Sequence, residues 1–262
     1  MDLQGKNTVV TGAGRGIGAA LAGAFHARGA NVVLADLAGA GEAAAAIGGD
    51  RVVGITADVS TEEGNRRLVE SAREAFGPID LFFANAGVGS GTTLADTPED
   101  VWATAFDVNV HAHRWAAKYL VPEWLERGEG YFCSTASAAG LLAQIGSGPY
   151  TLTKRAAVAF AEWMSITYGD AGIKVTCLCP QGVNTEMLHG GDDPISGGNV
   201  VKAAGAVLEP ADVAEQVADT IEAETFFVLP HPEVADFMQF KAADPDRWLG
   251  GMRKLQRRVL EG

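Results

Sequence analysis

Apolar positions along this chain alternate between two rhythms. Seven short, nearly continuous runs, at Asn7–Thr11, Asn31–Ala35, Arg51–Thr56, Asp80–Ala84, Gly130–Ser134, Ile173–Leu178 and Phe226–Leu229, have the β-branched and aromatic content of strands. Between them lie longer segments, Ile17–Arg28, Glu62–Phe76, Pro98–Leu125, Tyr150–Tyr168 and Pro210–Ala223, whose apolar residues recur at three- and four-residue spacings and predict helices. Strand followed by helix followed by strand implies right-handed crossovers and a parallel sheet. Strand cores such as VVL, LFF and VTCLC have no polar alternation and suit strands covered on both faces. The prediction is a doubly wound α/β fold with a seven-stranded parallel sheet, one domain over residues 1–262 with no linker and no repeat.

Two stretches depart from the rhythm. Residues 187–208 are rich in Gly, Asp and Ser around His189–Gly205 and fall between the sixth strand and the next helix, where either a substrate lid or a variable surface loop is expected. The tail 231–262 carries Phe237, Phe240, Trp248, Leu249 and Leu255, enough apolar surface to predict packing on this subunit or a neighbour.

Composition narrows the function. With 33 acidic against 20 basic side chains the net charge is −13, the wrong sign for neutralising phosphate backbones, so nucleic acid is not an expected partner. Three cysteines, Cys133, Cys177 and Cys179, are too few and too odd in number for a disulfide framework, and all three are expected to pack in strands. No apolar run reaches the roughly 20 residues of a membrane span, and the N-terminus lacks a signal-peptide core. A soluble, cytoplasmic protein without membrane contact is expected. His111 and His113, two apart on a helix, would project to different sides, and Cys177 and Cys179 share a strand face without zinc-type companions, so no metal is predicted.

The chain holds 33 glycines, and four of them mark the first strand-to-helix turn, Thr11-Gly12-Ala13-Gly14-Arg15-Gly16-Ile17-Gly18. Glycine allows positive φ and close approach of a pyrophosphate, and the helix that follows offers free N–H groups and the positive end of its dipole. Asp36 ends the second strand 18 residues after Gly18, placed to accept from a ribose hydroxyl. Together these predict a dinucleotide cofactor in a Rossmann-type fold. Further along, Tyr150 and Lys154 stand four apart on a predicted helix and therefore share a face. A nearby ammonium favours the phenolate of a tyrosine, whose reference pKa near 10 is otherwise too high for ready proton exchange at neutral pH.

The TGxxxGxG spacing resembles the short-chain dehydrogenase/reductase family, and further motifs from residue 5 to about 230 are similar to that family's. The resemblance implies that Asp58-Val59 contacts adenine, although Asp58 before Ser60 equally fits a helix start. It implies that Asn85-Ala86-Gly87 steadies the sheet and lines the cofactor, and that Asn109, in a helix interior where Asn is mildly unfavourable, holds a water in a proton relay. Ser137, 13 residues before Tyr150, would orient the substrate oxygen, Tyr150 would exchange its proton, and Lys154 would bind the nicotinamide ribose. Pro180, Val183 and Thr185 match the PGxVxT segment that positions the carboxamide, but Gln181 stands where glycine is usual and Gly182 follows one place late, which aims Gln181 toward substrate space.

The implied cofactor-binding set is Gly12, Arg15, Gly16, Ile17, Gly18, Asp36, Asp58, Val59, Asn85, Ala86, Gly87, Tyr150, Lys154, Pro180, Val183 and Thr185, with NAD as cofactor because an aspartate at position 36 repels a 2′-phosphate. The catalytic set is Asn109, Ser137, Tyr150 and Lys154. Val88, Leu141, Leu142, Gln181 and Met187 suggest a largely apolar pocket for a small hydrophobic secondary alcohol or ketone. The family's common assembly implies a homotetramer or homodimer through Val101–Leu125 and Tyr150–Tyr168, where Trp102, Phe106, Trp115, Phe160 and Trp163 offer aromatic surface. Two other readings stay open. A nucleotide-sensing regulator without turnover would tend to lose Tyr150 or Lys154, and a halohydrin dehalogenase-like enzyme would replace the lysine and lose the nucleotide glycines.

Overall fold

The computed structural model describes residues 1–89, 91–189 and 205–261. Seven parallel strands form the sheet in the order β3-β2-β1-β4-β5-β6-β9: β1 (Asn7–Thr11), β2 (Asn31–Asp36), β3 (Val52–Thr56), β4 (Leu81–Ala84), β5 (Gly130–Thr135), β6 (Ile173–Leu178) and β9 (Phe227–Val228). Register aligns Val9 with Val33 on one side and with Phe82 on the other, and Phe82 with Phe132. Because every strand is apolar on both faces, two cores form. Val9, Val33, Phe82 and Phe132 pack under α3 (Glu62–Phe76), α5 (Ala112–Arg127) and α7 (Gly148–Tyr168). Val10, Leu34, Phe83 and Cys133 pack under α1 (Gly16–Ala27) and α9 (Pro210–Ala223), with the alanine-rich α2 (Ala40–Ile47) at one end.

Winding reverses between β1 and β4, so the carboxyl ends of these two neighbours open a crevice in which ligands of such sheets bind. Around that crevice three departures from the sequence pattern matter. The predicted helix Pro98–Leu125 is α4 (Glu99–Phe106) and α5 joined by a π turn at Asp107–His111, with Asn109 at its middle. A short helix α6 (Ala138–Leu141) follows β5. The tail forms α10 (Glu233–Ala243) and α11 (Pro245–Glu261), with Val234 fully buried and Trp248 packed about equally on Phe237 and Phe240, at 6.0 Å from each ring. The tail thus docks on its own chain.

Most of the expected lid lies outside the described residues. Its flanks are α8 (Glu186–His189) and β8 (Val207–Leu208), and β8 pairs in parallel with β7 (Gly182–Val183), which draws the two ends of the segment together. All three cysteines are buried, Cys133 in β5, Cys177 in β6 and Cys179 just past it, where the two sulfurs of the latter pair lie 3.7 Å apart. Of the aromatics expected on the surface, Trp115 is a correction: it faces inward with 9% of its area exposed, because the π turn rotates α5 relative to α4. Leu141 is likewise a core residue rather than a clear pocket wall. No helix of the described residues is long and apolar enough to cross a membrane.

Candidate active site

The glycine turn is built by close backbone approach. Gly12 and Gly16 adopt positive φ of 63° and 57°, a Cβ on Gly18 would overlap the Gly12 carbonyl, and one on Gly14 would overlap the carbonyl of Ala38. Asp36 braces the turn, accepting from the Gly14 N–H at 2.9 Å and from the Ala38 N–H at 3.3 Å. The helix start beyond it lacks a cap: Arg15 makes no side-chain bond to α1, whereas Thr61 caps α3 and Ser147 caps α7. Uncapped N–H groups at a glycine-lined helix start suit a pyrophosphate, so the residues present fit a dinucleotide. Arg15 itself reaches sideways to Glu186 on α8, an exposed ion pair of 2.9 Å. Gly16 lies against the methyl of Thr185. At the neighbouring strand end Asp58 accepts from the Ser60 amide and hydroxyl in a turn ahead of α3, whose helix start is capped by Thr61 and not by Asp58, and Asn65 ties down the Val59 carbonyl.

Between β4 and the π turn, side-chain amides hold the chain. Asn85 donates to the carbonyls of Thr11 and Gly12 and accepts from the Thr135 hydroxyl, linking β1, β4 and β5 at their ends. The Thr11 hydroxyl in turn receives the amides of Asn85 and Ala86. Asn109, fully buried, clamps Val88 from both sides: its Oδ1 accepts from the Val88 N–H at 2.9 Å and its Nδ2 donates to the Val88 carbonyl at 3.0 Å. Nδ2 also donates to the Thr153 hydroxyl on α7. Its amide is therefore spent on protein groups. A Cβ on Gly87 would press on both Lys154 Nζ and Asn109 Oδ1, so a side chain there would shift these two groups by a few tenths of an ångström.

The three reactive side chains converge at the ends of β5 and α7. Ser137 caps α6, its Oγ accepting from the Ala139 N–H at 3.1 Å and lying 3.4 Å from the Pro180 carbonyl. Its hydroxyl neighbours the Tyr150 side chain. Burial pushes the Tyr150 phenol up, and the nearby Ser137 hydroxyl opposes this. Lys154 is 2% exposed, donates to the Thr135 carbonyl at 2.9 Å, and lies 5.7 Å from the Tyr150 ring centre. Burial pulls its ammonium down to about 8. Beneath it His113, buried and bonded to the Ser134 hydroxyl at 3.0 Å, is pushed down to about 3 by burial and by the Lys154 charge, and stays neutral.

A family model for short chain dehydrogenases matches residues 6–194. Among relatives, 1-deoxy-11-beta-hydroxypentalenate dehydrogenase of Streptomyces exfoliatus is 34% identical over 89% of this chain and 86% of its own length. The 2,5-dichloro-2,5-cyclohexadiene-1,4-diol dehydrogenase of Sphingobium indicum is 35% identical over 82% and 88%. A solved short chain dehydrogenase/reductase from Burkholderia phymatum, in complex with NAD, superposes with a TM-score of 0.85 at 29% identity, over 94% of this chain and 96% of that one. The chain belongs to the short-chain dehydrogenase/reductase family. Its members are oxidoreductases, and the fold is the Rossmann-type α/β sheet that the sequence pattern predicts.

Within this family member, Ser137, Tyr150, Lys154 and Asn109 lie together, and Gly12, Gly16, Ile17 and Gly18 form the β1–α1 turn that Asp36, at the end of β2, braces. Arg15 pairs with Glu186 on α8. Pro180 touches Ser137 through its carbonyl, while Val183 is buried in β7 and Thr185 donates to the Val183 carbonyl. Met187 lies against Gly89. Sequence reasoning missed Thr11, Thr135 and Thr153, whose hydroxyls or carbonyls orient the reactive groups. It also missed His231, which is buried and accepts from the Gln181 N–H at 3.2 Å. The Pro-His-Pro sequence around His231 was the one visible signal.

Proposed function

We propose that this short-chain dehydrogenase/reductase is NAD-dependent and interconverts a small, largely hydrophobic secondary alcohol and its ketone, with Tyr150 as acid and base. The observation that carries this reading is the convergence of the Ser137 hydroxyl and the buried Lys154 ammonium on Tyr150, with Lys154 Nζ 5.7 Å from the phenol ring centre. NAD, when bound, accepts or supplies the hydride. Ser137 hydrogen-bonds the reacting oxygen and Tyr150 exchanges its proton: the phenol gives it to a carbonyl, or the phenolate takes it from an alcohol. Lys154 supplies positive charge within reach of the phenolate, and its ammonium is placed to meet the nicotinamide ribose. Asn109 acts by holding Val88 and α7 in place, and any water in a relay would have to be held by its backbone. Asp36 accepts from the adenosine ribose, and the exposed pairing of Arg15 with Glu186 lessens the charge Arg15 would offer a 2′-phosphate.

The NAD in the Burkholderia phymatum complex supports the cofactor, and the ring diol in the name of the Sphingobium relative supports an alicyclic alcohol. Incubating the protein with NAD and a panel of secondary alcohols, and following absorbance of the reduced cofactor, tests the proposal. Turnover is expected, and it would separate this reading from a nucleotide-sensing regulator. A protein that binds NAD yet turns over no alcohol or ketone would overturn it.

A further inference from the structure

The short helix that Ser137 caps is held at its far end by two cations. Along α6 the N–H groups of Gly140, Leu142 and Ala143 donate to the carbonyls of Ser137, Ala138 and Ala139, and the next three carbonyls fall to side chains. Arg155 of α7 donates to the Gly140 carbonyl at 2.9 Å and to that of Leu141 at 3.3 Å. Lys241 of α10 donates to the Leu141 carbonyl at 2.6 Å and to that of Leu142 at 3.3 Å, a link across 100 residues of chain. Arg155 follows Lys154 directly, and a Cβ on Gly140 would overlap the Lys154 carbonyl. The four-residue helix α6 therefore lies on the backbone of one reactive residue and starts at another. Its register on α7 sets Ser137 against Tyr150 and Lys154.

Packing alone does not hold that register. A pocket of about 150 Å³, bounded by Ala139, Ala143, Thr151, Arg155 and Lys241, runs beside the end of α6 and leaves that side without packed neighbours. Ala143, the residue after the clamped carbonyls, has a φ of 112°, which an L side chain rarely adopts and which persists only where the surroundings impose it. Burial and the nearby Arg155 charge both pull the Lys241 ammonium down, so its position is unfavourable for a cation and is offset by the carbonyl bonds it makes. We propose that Lys241 is a positioning residue for Ser137: by tying α10 to the end of α6 it holds the serine hydroxyl beside Tyr150, and the rate of reaction depends on the C-terminal tail. This inference rests on the alcohol–ketone reading, in which Ser137 bonds the reacting oxygen, and adds the residue that aims the serine.

The test measures kcat with the secondary alcohol that turns over fastest, together with the Kd for NAD, in the wild type, Lys241→Met and Lys241→Arg, each with and without Ser137→Ala. Methionine keeps most of the side-chain length and removes the donor, whereas arginine keeps donors and charge. Lys241→Met is expected to lower kcat about tenfold with the NAD Kd unmoved, and Lys241→Arg should recover most of the loss. A residue that acts through the serine loses its effect once the hydroxyl is gone, so Lys241→Met should change the Ser137→Ala rate by less than about twofold. If Ser137→Ala leaves no measurable rate, a kcat loss at constant NAD Kd that arginine restores supports the inference by itself. Wild-type kcat in Lys241→Met, an equal loss in both backgrounds, or no recovery with arginine would overturn it while leaving the alcohol–ketone reading intact. A wild type that turns over no alcohol and no ketone would overturn both.

Discussion

Burial disfavours the charged form of both reactive residues, raising the Tyr150 phenol and lowering the Lys154 ammonium. A phenol held protonated is ready to give its proton to a carbonyl, whereas alcohol oxidation needs the phenolate. Oxidation kcat/KM is therefore expected to rise with pH from 6 toward 8, while the Lys154 ammonium is still present, and reduction to fall over the same range, in rate profiles measured in both directions. Tyr150→Phe should abolish turnover with NAD binding nearly unchanged in titration calorimetry; normal activity in that variant would sink the mechanism. For Lys154, the drop from 10.5 to about 8 corresponds to roughly 3 kcal/mol of destabilisation at neutral pH. Lys154→Met removes that burden but also the charge-assisted bond to the Thr135 carbonyl, worth about 1.5–3 kcal/mol. Below pH 8 the lysine is charged in both folded and unfolded chains and the burden is complete. Between 8 and 10.5 the folded lysine sheds its proton and the burden fades, so any Tm advantage of the methionine variant should shrink across that window. At position 36 a 2′-phosphate about 5 Å from the Asp36 carboxylate would cost roughly 3 kcal/mol per unit charge at an effective dielectric near 20. That is about a hundredfold or more in affinity, and Arg15 is engaged elsewhere. The wild type should strongly prefer NAD, and Asp36→Ala with Leu37→Arg should move the kcat/KM ratio toward NADP. A wild type that prefers NADP would refute the assignment of Asp36.

The π turn between α4 and α5 is the element on which the site's geometry turns, because it delivers Asn109 to the backbone of Val88. Asn109→Ala would leave the Val88 N–H and carbonyl without their side-chain partners, at about 1–3 kcal/mol for each group left unsatisfied. A loss of roughly 2–4 kcal/mol in urea denaturation is expected, with weaker cofactor binding as the Asn85–Gly89 segment loosens; unchanged stability would show that Val88 is held by other means. This turn was invisible in the sequence, since one inserted residue hardly disturbs a pattern of three- and four-residue spacings. The α2 helix escaped for a different reason: AGEAAAAI offers almost no contrast between apolar and polar faces. By contrast, the first six strands were legible to within a residue or so because both faces are buried and the runs are continuous. The glycine turn was legible because its backbone contacts tolerate no Cβ. His231 was not, because its role depends on a contact with Gln181 across 50 residues of chain.

On the scale of the whole molecule, the outer face of α7 is left with more apolar surface than the subunit covers. Leu152, Ala159, Trp163 and Ile166 fall within a narrow arc of the helix, spaced so that they form one stripe about 21 Å long at 1.5 Å per residue. All four are exposed, Trp163 to 51% and Ile166 to 84%, while Phe160 and Tyr168 buttress the Trp163 ring from either side at 6.1 and 5.7 Å. A rigid aromatic flanked by aliphatic side chains is the kind of anchor found at the centre of protein interfaces. The inner face of the same helix carries Tyr150 and Lys154, so a partner docked on the stripe would stiffen the wall of the active site. The net charge of −13 opposes association, but the rim charges Arg155 and Glu162 are of opposite sign and could pair across a two-fold axis. We therefore expect a homodimer or homotetramer with α7 at an interface. Light scattering at micromolar concentration should give two or four chain masses, and Trp163→Glu, which places charge in the stripe without touching the site, should shift the protein toward smaller species. A wild type that remains a monomer at these concentrations would overturn the assignment.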